Sequence, residues 1–429
     1  KADRKISAPA EVASNEPRKV HVVEDEDAGK ADAPVEQPEI PFQPVVTKPE
    51  IQKPTGDSAV VVTEQESLLN PGAAEVPLPS MDLLEKPPEV STDISEEDLN
   101  AAADLLEETL KSFGVNGTVK DVRPGPVVTT FEYQPAAGVK VNAIVQRADD
   151  LALAMRAQSI RMEAPIPGKA AVGIEIPNPV QQKVYMREVL SRAADKMDKP
   201  LSVVLGRDVF GEPTVIDLAA LPHLLVAGST GSGKSVSVNA MIVSLLMRCD
   251  PTIARLMLID PKMLELNAYN GIPHLLHSVV TEPKKALRAL KWLEAQMDFR
   301  YRRLARHSVR NIEGYNVKVA AGIIMDKDGE QITEPMPYYV CFVDELADLM
   351  VQLGQEVELP ITRLAQKARA VGIHLVLATQ RPSVDVLTGV IKANIPCRIS
   401  FKVVQMNDSR TILDTKGAEK LLGKGDMLY

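Results

Sequence analysis

Residues 223–241 read HLLVAGSTGSGKSVSVNAM, an apolar run followed by a glycine-rich turn and the start of a helical pattern. Residues 228–235 fit the spacing G-x-x-x-x-G-K-[ST], which is typical of a phosphate-binding loop between a strand and a helix. The glycines let backbone N–H groups face phosphate oxygens, and the positive end of the following helix adds to the attraction. We therefore expect a nucleotide to bind against nine consecutive residues: Gly228, Ser229, Thr230, Gly231, Ser232, Gly233, Lys234, Ser235 and Val236.

Two residues of this loop have separate predicted roles. Lys234 is expected to reach the β- and γ-phosphates, and the Ser235 hydroxyl is expected to bind Mg²⁺. ATP and Mg²⁺ are thus the predicted cofactors. The alternative is a glycine-rich turn that matches the spacing by chance, but here strand, loop and helix follow one another in the required order.

A second apolar run, YYVCFVDELADLM at 338–350, is interrupted by two adjacent acids. Asp344 is suited to the outer shell of Mg²⁺, and Glu345 is suited to polarising a water for attack on the γ-phosphate. A small-molecule kinase needs no such glutamate, because its acceptor hydroxyl is the nucleophile. The alternative is the acidic start of a helix after an ordinary strand.

A third run, HLVLATQRP at 374–382, ends in the polar pair Thr379-Gln380. We expect Gln380 to sense the γ-phosphate, although a strand-end turn residue would look the same. Lys234 and Asp344 are 110 residues apart, and Asp344 and Gln380 are 36 apart. The three features in this order predict an ATP hydrolase that couples hydrolysis to movement.

The region from residue 201 to 429 alternates apolar strands with helical patterns. The strand-like stretches are HLLVAG, ARLMLID, YYVCFVDE, HLVLATQ and CRISFKV. Strands with unbroken Val, Leu and Ile are buried on both faces, which predicts a parallel sheet flanked by helices in an α/β domain.

Residues 93–200 show a different pattern, which predicts a small α+β domain. Ser95 and Asp98 form a predicted helix cap ahead of apolar residues at helical spacing. The segments 127–135 and 170–178 alternate like strands, and a helix is expected near 149–159. This domain by itself indicates no chemistry.

Residues 1–92 are predicted to be a disordered, proline-rich, acidic linker. They contain 13 of the 32 prolines and one aromatic residue, Phe42, so they cannot bury enough apolar surface to offset chain entropy. Residues 1–100 have 9 Lys and Arg against 22 Asp and Glu, and the other 329 residues have 40 against 36. The net charge of −9 therefore arises in the linker, and the remainder is mildly basic.

The chemistry of other residue types restricts the function further. Cys249, Cys341 and Cys397 occur singly, which predicts neither a disulfide framework nor a zinc site and favours a reducing compartment. The six histidines form no metal-binding pattern. No apolar run approaches the ~20 residues of a membrane span. Because the chain begins at Lys1, we expect a fragment or processed form, with an upstream membrane anchor left open.

Several long blocks together resemble the motor region of the FtsK/SpoIIIE family of bacterial DNA translocases. They are GSTGSGKSVSVNAMI, LIDPKMLEL with YNGIPHLL, VDELADLM, RLAQKARAVGIHLVLATQRPSVDVLTGVIKANIP, and DSRTILD with GAEKLLGKGDMLY. The resemblance covers about residues 95–429. It implies a RecA-like P-loop NTPase core, a smaller alpha domain before it, and a homohexameric ring with double-stranded DNA in its pore.

The resemblance also implies roles for individual basic residues. A neighbouring subunit is expected to complete each ATP site with an arginine, for which Arg369 is the first candidate and Arg398 and Arg410 are the reserves. Arg381, Lys392 and Arg410 are the expected contacts to DNA phosphates, a grip that needs no base reading. Met406 stands where some relatives have a basic residue, which puts the grip of the second loop in doubt.

Location and partners are likewise implied by the resemblance alone. It implies a cytoplasmic portion of a protein anchored in the bacterial inner membrane at the division septum, acting in chromosome segregation. Division-site proteins and a site-specific recombinase are possible partners through missing regions, and the carboxy-terminal winged-helix domain that reads DNA polarity is absent from this chain.

Two other functions stay open from the residues. The first is that of a related ring ATPase that moves single-stranded DNA or polypeptide in conjugation or secretion. The second is that of a nucleotide-binding scaffold or a small-molecule kinase, either of which would use the same phosphate loop without being a motor. The block IDPKMLEL places Asp260 and Lys262 at a strand end beside the phosphate site, where we expect Lys262 to pair with acids at a subunit junction.

Overall fold

The computed structural model describes residues 76–88 and 94–429. Most of the predicted linker lies outside these ranges. The part of it that is described includes a short 3-10 turn, Met81–Leu83, and there Asp82 pairs with Arg187 at 2.8 Å. The predicted linker and the domain limits at 92 and 200 stay predictions.

The small domain packs its helices on a four-stranded antiparallel sheet. Ser95 caps α1 through a hydrogen bond from the Asp98 N–H, as its spacing predicts. The predicted helix near 149–159 ends early at Ala154, because Arg156 has a left-handed backbone (φ 54°). The elements are α1 (Glu96–Ser112), β1 (Gly117–Pro124), β2 (Val128–Pro135), α2 (Val141–Val145), α3 (Ala148–Ala154), β3 (Arg161–Glu163) and β4 (Val172–Pro177), in the sheet order β1-β2-β4-β3.

A helix and a hairpin follow that the sequence did not predict. Helix α4 (Met186–Arg192) packs beside the antiparallel pair β5 (Ser202–Arg207) and β6 (Pro213–Asp217). Val189 and Leu190 of the helix are buried together with Val204 of the hairpin. The hairpin stands apart from the main sheet and packs against the helix that follows the nucleotide loop.

The main sheet has six strands in the order β12-β11-β7-β10-β9-β8, and all except β12 are parallel. This confirms the predicted α/β fold class, with a RecA-like P-loop NTPase core in which helices flank the sheet. Its elements are β7 (His223–Ala227), α5 (Lys234–Leu246), β8 (Ala254–Ile259), α6 (Pro283–Arg306), α7 (Ile312–Ala320), β9 (Tyr338–Val343), α8 (Leu346–Leu353), α9 (Gln355–Lys367), β10 (Ile373–Thr379), α10 (Gly389–Asn394), β11 (Cys397–Phe401), α11 (Met406–Leu413) and β12 (Met427–Leu428).

The strand order brings the predicted functional segments to one edge. Strand β7 lies between β11 and β10, and every residue of β7, β9 and β10 is buried. Because these strands are parallel, the loops after them emerge at the same carboxyl edge, where open α/β sheets bind ligands. The nucleotide loop follows β7, the acidic pair follows β9, and Gln380 follows β10.

One segment near residue 420 contacts both the small domain and the nucleotide loop. The Ser159 hydroxyl donates to the Lys420 carbonyl at 2.9 Å, and the Lys420 ammonium lies 3.4 Å from Asp149. Five residues later, the Gly425 N–H donates to the Ser232 carbonyl at 2.9 Å. Among the described residues, no helix combines the length and apolar character needed to cross a membrane.

Candidate nucleotide site and basic surface

The nucleotide loop needs glycine at the position where it meets another backbone. Gly233 has φ 114°, a conformation that L side chains rarely adopt, and an added Cβ would lie 2.5 Å from the Gly425 nitrogen. At the start of the loop, an added Cβ on Gly228 would lie 2.6 Å from both the Phe401 Cβ and the Ser232 hydroxyl oxygen. The loop is therefore packed from two sides by β11 and by the segment at 425.

Neighbouring strand ends hold the loop through its backbone. Gly228 N–H donates to the Thr379 carbonyl at 3.3 Å, and Ser229 donates to the Lys402 carbonyl through both N–H (3.0 Å) and hydroxyl (2.8 Å). Beyond the loop, α5 begins at Lys234, and the first turn of a helix has N–H groups without intrahelical partners. Those groups are the expected phosphate ligands.

Lys234 points back into the sheet edge and pairs with Asp344. Its ammonium donates to the Asp344 Oδ1 at 2.7 Å and to the Asp344 carbonyl at 2.9 Å, and both residues are at most 2% exposed. Burial raises the pKa of the Asp344 carboxyl, and the nearby Lys234 charge opposes this rise. The predicted phosphate-binding lysine and the predicted Mg²⁺ ligand are thus partners in this structure.

The residues present fit a magnesium ion delivered with ATP. The second Asp344 oxygen, Oδ2, is buried and has no hydrogen-bond partner among the described residues. Ser235 lies in the first turn of α5, beside Lys234. Mg²⁺ bound to a nucleotide needs only one or two protein ligands, since phosphates and waters supply the others.

Glu345 is fully buried and accepts hydrogen bonds from three residues. The Thr379 hydroxyl donates to Oε1 at 2.6 Å, and the Gln380 N–H lies 3.2 and 3.1 Å from Oε1 and Oε2. The Lys262 ammonium donates to Oε2 at 3.2 Å. The Gln380 side chain in turn accepts from the Thr230 hydroxyl at 2.9 Å. Gln380 therefore connects the nucleotide loop to the predicted water-polarising glutamate.

Asp260 and Lys262 have roles that sequence analysis left without a physical basis. Buried Asp260 accepts from three backbone N–H groups, those of Lys262, Glu265 and Leu266, and so shapes the turn after β8. Lys262 pairs with Glu345 and lies 3.9 Å from Asp348, all within one chain. Its expected position at a subunit junction stays a prediction.

The candidate trans arginine lies at the other edge of the sheet. Arg369 is exposed on the 3-10 turn at Ala368–Val371, which immediately precedes β10. Strand β10 has seven residues, so this turn is roughly 20 Å from the carboxyl edge that holds the nucleotide loop. Of the reserves, Arg398 bonds to Asp414 and to the carbonyls of Lys392 and Ile412, whereas Arg410 is exposed on α11.

The three candidate DNA contacts lie on consecutive segments after β10. Arg381 is exposed at the end of β10, Lys392 is half-buried on α10, and Arg410 is exposed on α11. Asp414 at the end of α11 binds the Lys392 ammonium at 2.7 Å and the Arg398 guanidinium at 2.5 Å. Met406, the position noted for lacking a basic residue, begins α11 and is 41% exposed.

Comparison with protein families gives two matches along the chain. The FtsK/SpoIIIE family model matches residues 186–384, and the FtsK alpha domain model matches residues 78–178. The second match includes the last residues of the predicted linker. Together they cover both the small domain and most of the nucleotide-binding domain.

Similar curated proteins are named as DNA translocases. The chain is 53% identical to DNA translocase FtsK of Halalkalibacterium halodurans over 380 residues, which is 88% of this chain and 47% of the relative. It is 51% identical to DNA translocase SpoIIIE of Bacillus subtilis over 90% of this chain and 49% of the relative. The chain thus spans about half the length of these relatives.

A solved structure shares the fold at lower identity. The pCW3 conjugation coupling protein TcpA, in a monomer form with ATPγS, aligns with a TM-score of 0.50 and 23% identity over 76% of this chain and 91% of that chain. This likeness supports the fold assignment.

Proposed function

Because this chain belongs to the FtsK/SpoIIIE family, we propose that it is an ATP-driven double-stranded DNA translocase that works as a hexameric ring in chromosome segregation coupled to cell division. The observation that carries the proposal is the assembly of Lys234, Asp344 and Glu345 at one sheet edge in a chain about 50% identical to named DNA translocases. Because the chain spans only about half the length of those relatives, the activity of the whole protein is a proposal here.

The proposed reaction is hydrolysis of the γ-phosphate of ATP. A water oxygen bonds to the γ-phosphorus while the bond to the β–γ bridging oxygen breaks, the water proton passes to Glu345, and ADP leaves with the bond's electron pair. Lys234 exchanges Asp344 for phosphate oxygens, and Gln380 senses the γ-phosphate through the contact it now makes with Thr230. Ser235 and Asp344 would hold Mg²⁺, and the ion would supply positive charge against the charge that develops on the phosphates.

The position of Arg369 supports a site shared between two chains. An arginine at the amino edge of the sheet is too far from the nucleotide loop of its own chain to contact a γ-phosphate. It can do so only in a head-to-tail arrangement, where the amino edge of one chain faces the carboxyl edge of the next. A head-to-tail contact that closes generates a ring, which agrees with the proposed homohexamer.

The basic residues after β10 supply the proposed DNA contact. Arg381, Lys392 and Arg410 present charged groups that can bind phosphates of any sequence, as a sequence-tolerant grip requires. We further propose that the chain is the cytoplasmic part of a protein anchored in the inner membrane at the division septum, with division-site proteins and a site-specific recombinase as partners of regions outside this chain.

The test measures ATP turnover with duplex DNA, with single-stranded DNA and without DNA, and it measures movement along duplex DNA. Purified protein should hydrolyse ATP faster with long duplex DNA than with single-stranded DNA or without DNA, and should displace a third strand annealed far from its loading site. Electron microscopy with duplex and a non-hydrolysable nucleotide should show rings around DNA. Turnover that is indifferent to duplex, in a protein that stays monomeric, would contradict the proposal. Preferential stimulation by single strands would favour a conjugation-type motor instead.

A further inference from the structure

Both carboxylate oxygens of Glu345 are occupied by hydrogen-bond donors in this structure. An ionised carboxylate has about four lone-pair sites. Oε1 accepts from the Thr379 hydroxyl and the Gln380 N–H, and Oε2 accepts from the same N–H and from the Lys262 ammonium. The residue is also 0% exposed. A general base needs a lone pair within about 2.6–3.2 Å of the water it deprotonates. Because these donors enclose an unexposed carboxylate, one of them must move before a water can approach either oxygen.

Lys262 is the donor whose departure requires the smallest rearrangement. The Thr379 hydroxyl is fully buried, and the Gln380 N–H belongs to the backbone at the end of β10. The Lys262 side chain is 31% exposed and has a flexible four-carbon stem. It is also the only one of the three donors that carries a charge, so it attracts the carboxylate electrostatically as well as through a hydrogen bond.

A second acid lies within reach of the same ammonium. Asp348 follows Glu345 by about one helical turn, and its Oδ2 is 3.9 Å from the ammonium nitrogen of Lys262. The backbone of Lys262 is fixed meanwhile, because the buried Asp260 carboxylate accepts its N–H. The ammonium can therefore transfer from Glu345 to Asp348 by side-chain rotation alone, without loss of a charged partner and without backbone movement.

From this geometry we infer that Lys262 is a positioning residue which restrains Glu345 between turnovers. Transfer of its ammonium to Asp348 frees the lone pair that accepts the water proton. The inference rests on the proposed ATP hydrolysis, and it assigns to IDPKMLEL a role inside one chain. Hydrolysis in the absence of DNA is slow, in this account, because the base is occupied.

The experiment compares Lys262→Met, Lys262→Arg and the double variant Lys262→Met/Glu345→Gln with the unaltered chain. Steady-state kcat and KM for ATP are measured without DNA and with saturating duplex. Lys262→Met should raise the DNA-free kcat by about tenfold or more, the range expected when a hydrogen bond between two charged groups no longer has to break. KM should stay within about twofold, and the ratio of duplex-stimulated to DNA-free turnover should fall. Lys262→Arg keeps a charged donor and should retain the low DNA-free rate.

The double variant separates this role from a structural one. If the extra turnover passes through Glu345, then Lys262→Met/Glu345→Gln should hydrolyse no faster than Glu345→Gln alone. An unchanged or lower DNA-free kcat in Lys262→Met, at unchanged ATP affinity, would overturn the inference. So would extra turnover that persists in the double variant.

A variant of the second acid tests the inference in the opposite direction and does not depend on the folding of Lys262→Met. Asp348→Asn removes the place to which the ammonium moves, so its duplex-stimulated kcat should fall while its DNA-free kcat does not rise. A rise in DNA-free turnover would overturn the inference. If Lys262→Met raises DNA-free turnover in a chain that duplex never stimulates, the DNA-motor proposal fails and the Lys262 restraint stands.

Discussion

At the scale of single residues, the site is held together by charges that must exchange partners when ATP arrives. Lys234 has Asp344 as its partner, and both are almost completely buried. A lysine that binds γ-phosphate has to leave this carboxylate, and the freed carboxylate needs the cation that accompanies the nucleotide. In the proposed site, the pair would keep both groups neutralised until Mg²⁺ and ATP replaced each partner together, which would avoid the several kcal/mol that an unpaired buried charge costs.

The first prediction concerns the water-polarising acid. Glu345→Gln keeps the size of the side chain but removes the base, so kcat should fall by about 10²-fold or more while ATP remains bound. Single-turnover hydrolysis and ATP binding by equilibrium titration measure the two effects separately. Glu356→Gln, an exposed acid in the first turn of α9, is the matched control and should change neither. Undiminished turnover in Glu345→Gln would point to a kinase or another base.

Sequence analysis found the parts of the site that follow local spacing. The loop at 228–235, the acids at 344 and 345 and Gln380 each end a strand, so their shared edge follows from a parallel sheet. The contact between Lys262 and Glu345 joins residues 83 positions apart and depends on which strands are neighbours. The block IDPKMLEL indicated that Lys262 lies beside the phosphate site, but no rule of sequence spacing predicts which carboxylate its ammonium contacts.

At the scale of elements, strands β7 and β10 have a pair of histidines at their amino ends. His223 accepts the Leu375 N–H at 3.0 Å through Nδ1, and His374 Nδ1 lies 3.2 Å from the Pro222 carbonyl. The ring centroids are 6.4 Å apart, and both residues are 1% exposed. Burial lowers the pKa of His223 to about 3 and that of His374 to about 4. The charge of His374 also lowers the pKa of His223, and the charges of Arg300 and Arg369 also lower that of His374.

The second prediction is a loss of stability in mild acid. Below pH 6.5 the unfolded chain binds protons at these histidines while the folded chain does not until about pH 4, so stability is fully present above pH 6.5 and decreases as the pH falls below it. Between pH 7 and 5 the free energy of unfolding should drop by on the order of 2 kcal/mol per histidine. Urea unfolding followed through Trp292, which stacks on Tyr339 of β9, reports on this domain.

Variants of the histidines identify the source of that pH dependence. His374→Phe, if it folds, should show a smaller loss between pH 7 and 5 than the unaltered chain. His277→Gln changes an exposed histidine and is the control. An equal pH dependence in His374→Phe would show that other groups are responsible.

The third prediction concerns Asp414, which ties α10 and β11 to the end of α11. Its side chain is 61% exposed, and hydrogen bonds from Lys392 and then Arg398 lower the pKa of its carboxyl to about 2. Asp414→Asn should free Lys392 for phosphate, so duplex binding should tighten at low salt. The slope of log K against log salt should become steeper by about one unit, the effect of one more cation at the phosphates.

The matched control for this variant lies on the same helix. Asp408→Asn makes the same change of charge in the first turn of α11, and no contact joins Asp408 to Lys392 in the described chain. Its salt slope should equal that of the unaltered chain. A similar steepening in both variants would mean that net charge, and not release of Lys392, is the cause.

Element patterns also show where prediction from the sequence ended. Strands with an unbroken apolar run, such as β9, were predicted because burial on both faces leaves a continuous run. The hairpin β5–β6 was not, since it packs beside α4 and α5 and not in the main sheet. Strand β12 has two residues and is defined only by its pairing with β11. Such elements are stabilised by contacts with neighbouring elements, and their own residues show no hydrophobic pattern that predicts them.

At the scale of the whole molecule, the two edges of the main sheet have complementary halves of the proposed ATP site. The carboxyl edge has the loop and the acids, and the amino edge has Arg369. The fourth prediction is that two inactive variants restore each other. Lys234→Ala lacks the phosphate lysine and Arg369→Ala lacks the trans arginine, so each alone should be nearly inactive.

Mixing the two variants tests the shared site directly. In a randomly mixed ring, about a quarter of the seams join an intact loop to an intact arginine from the neighbour, and duplex-stimulated ATPase should reappear in that proportion. Mixing Lys234→Ala with Glu345→Gln is the control, because both changes lie on the loop side and no seam is restored at the chemical step. Absence of recovery in the first mixture would contradict a trans role for Arg369.

The short stretch from Lys420 to Gly425 touches the small domain at one end and the nucleotide loop at the other. Gly425 sits against Gly233 so closely that no side chain fits between them. If phosphate entry in the proposed reaction displaces the loop, this stretch would transmit the displacement to the small domain at Ser159. The proposed motor would then couple its ATP site to the small domain through six residues of backbone.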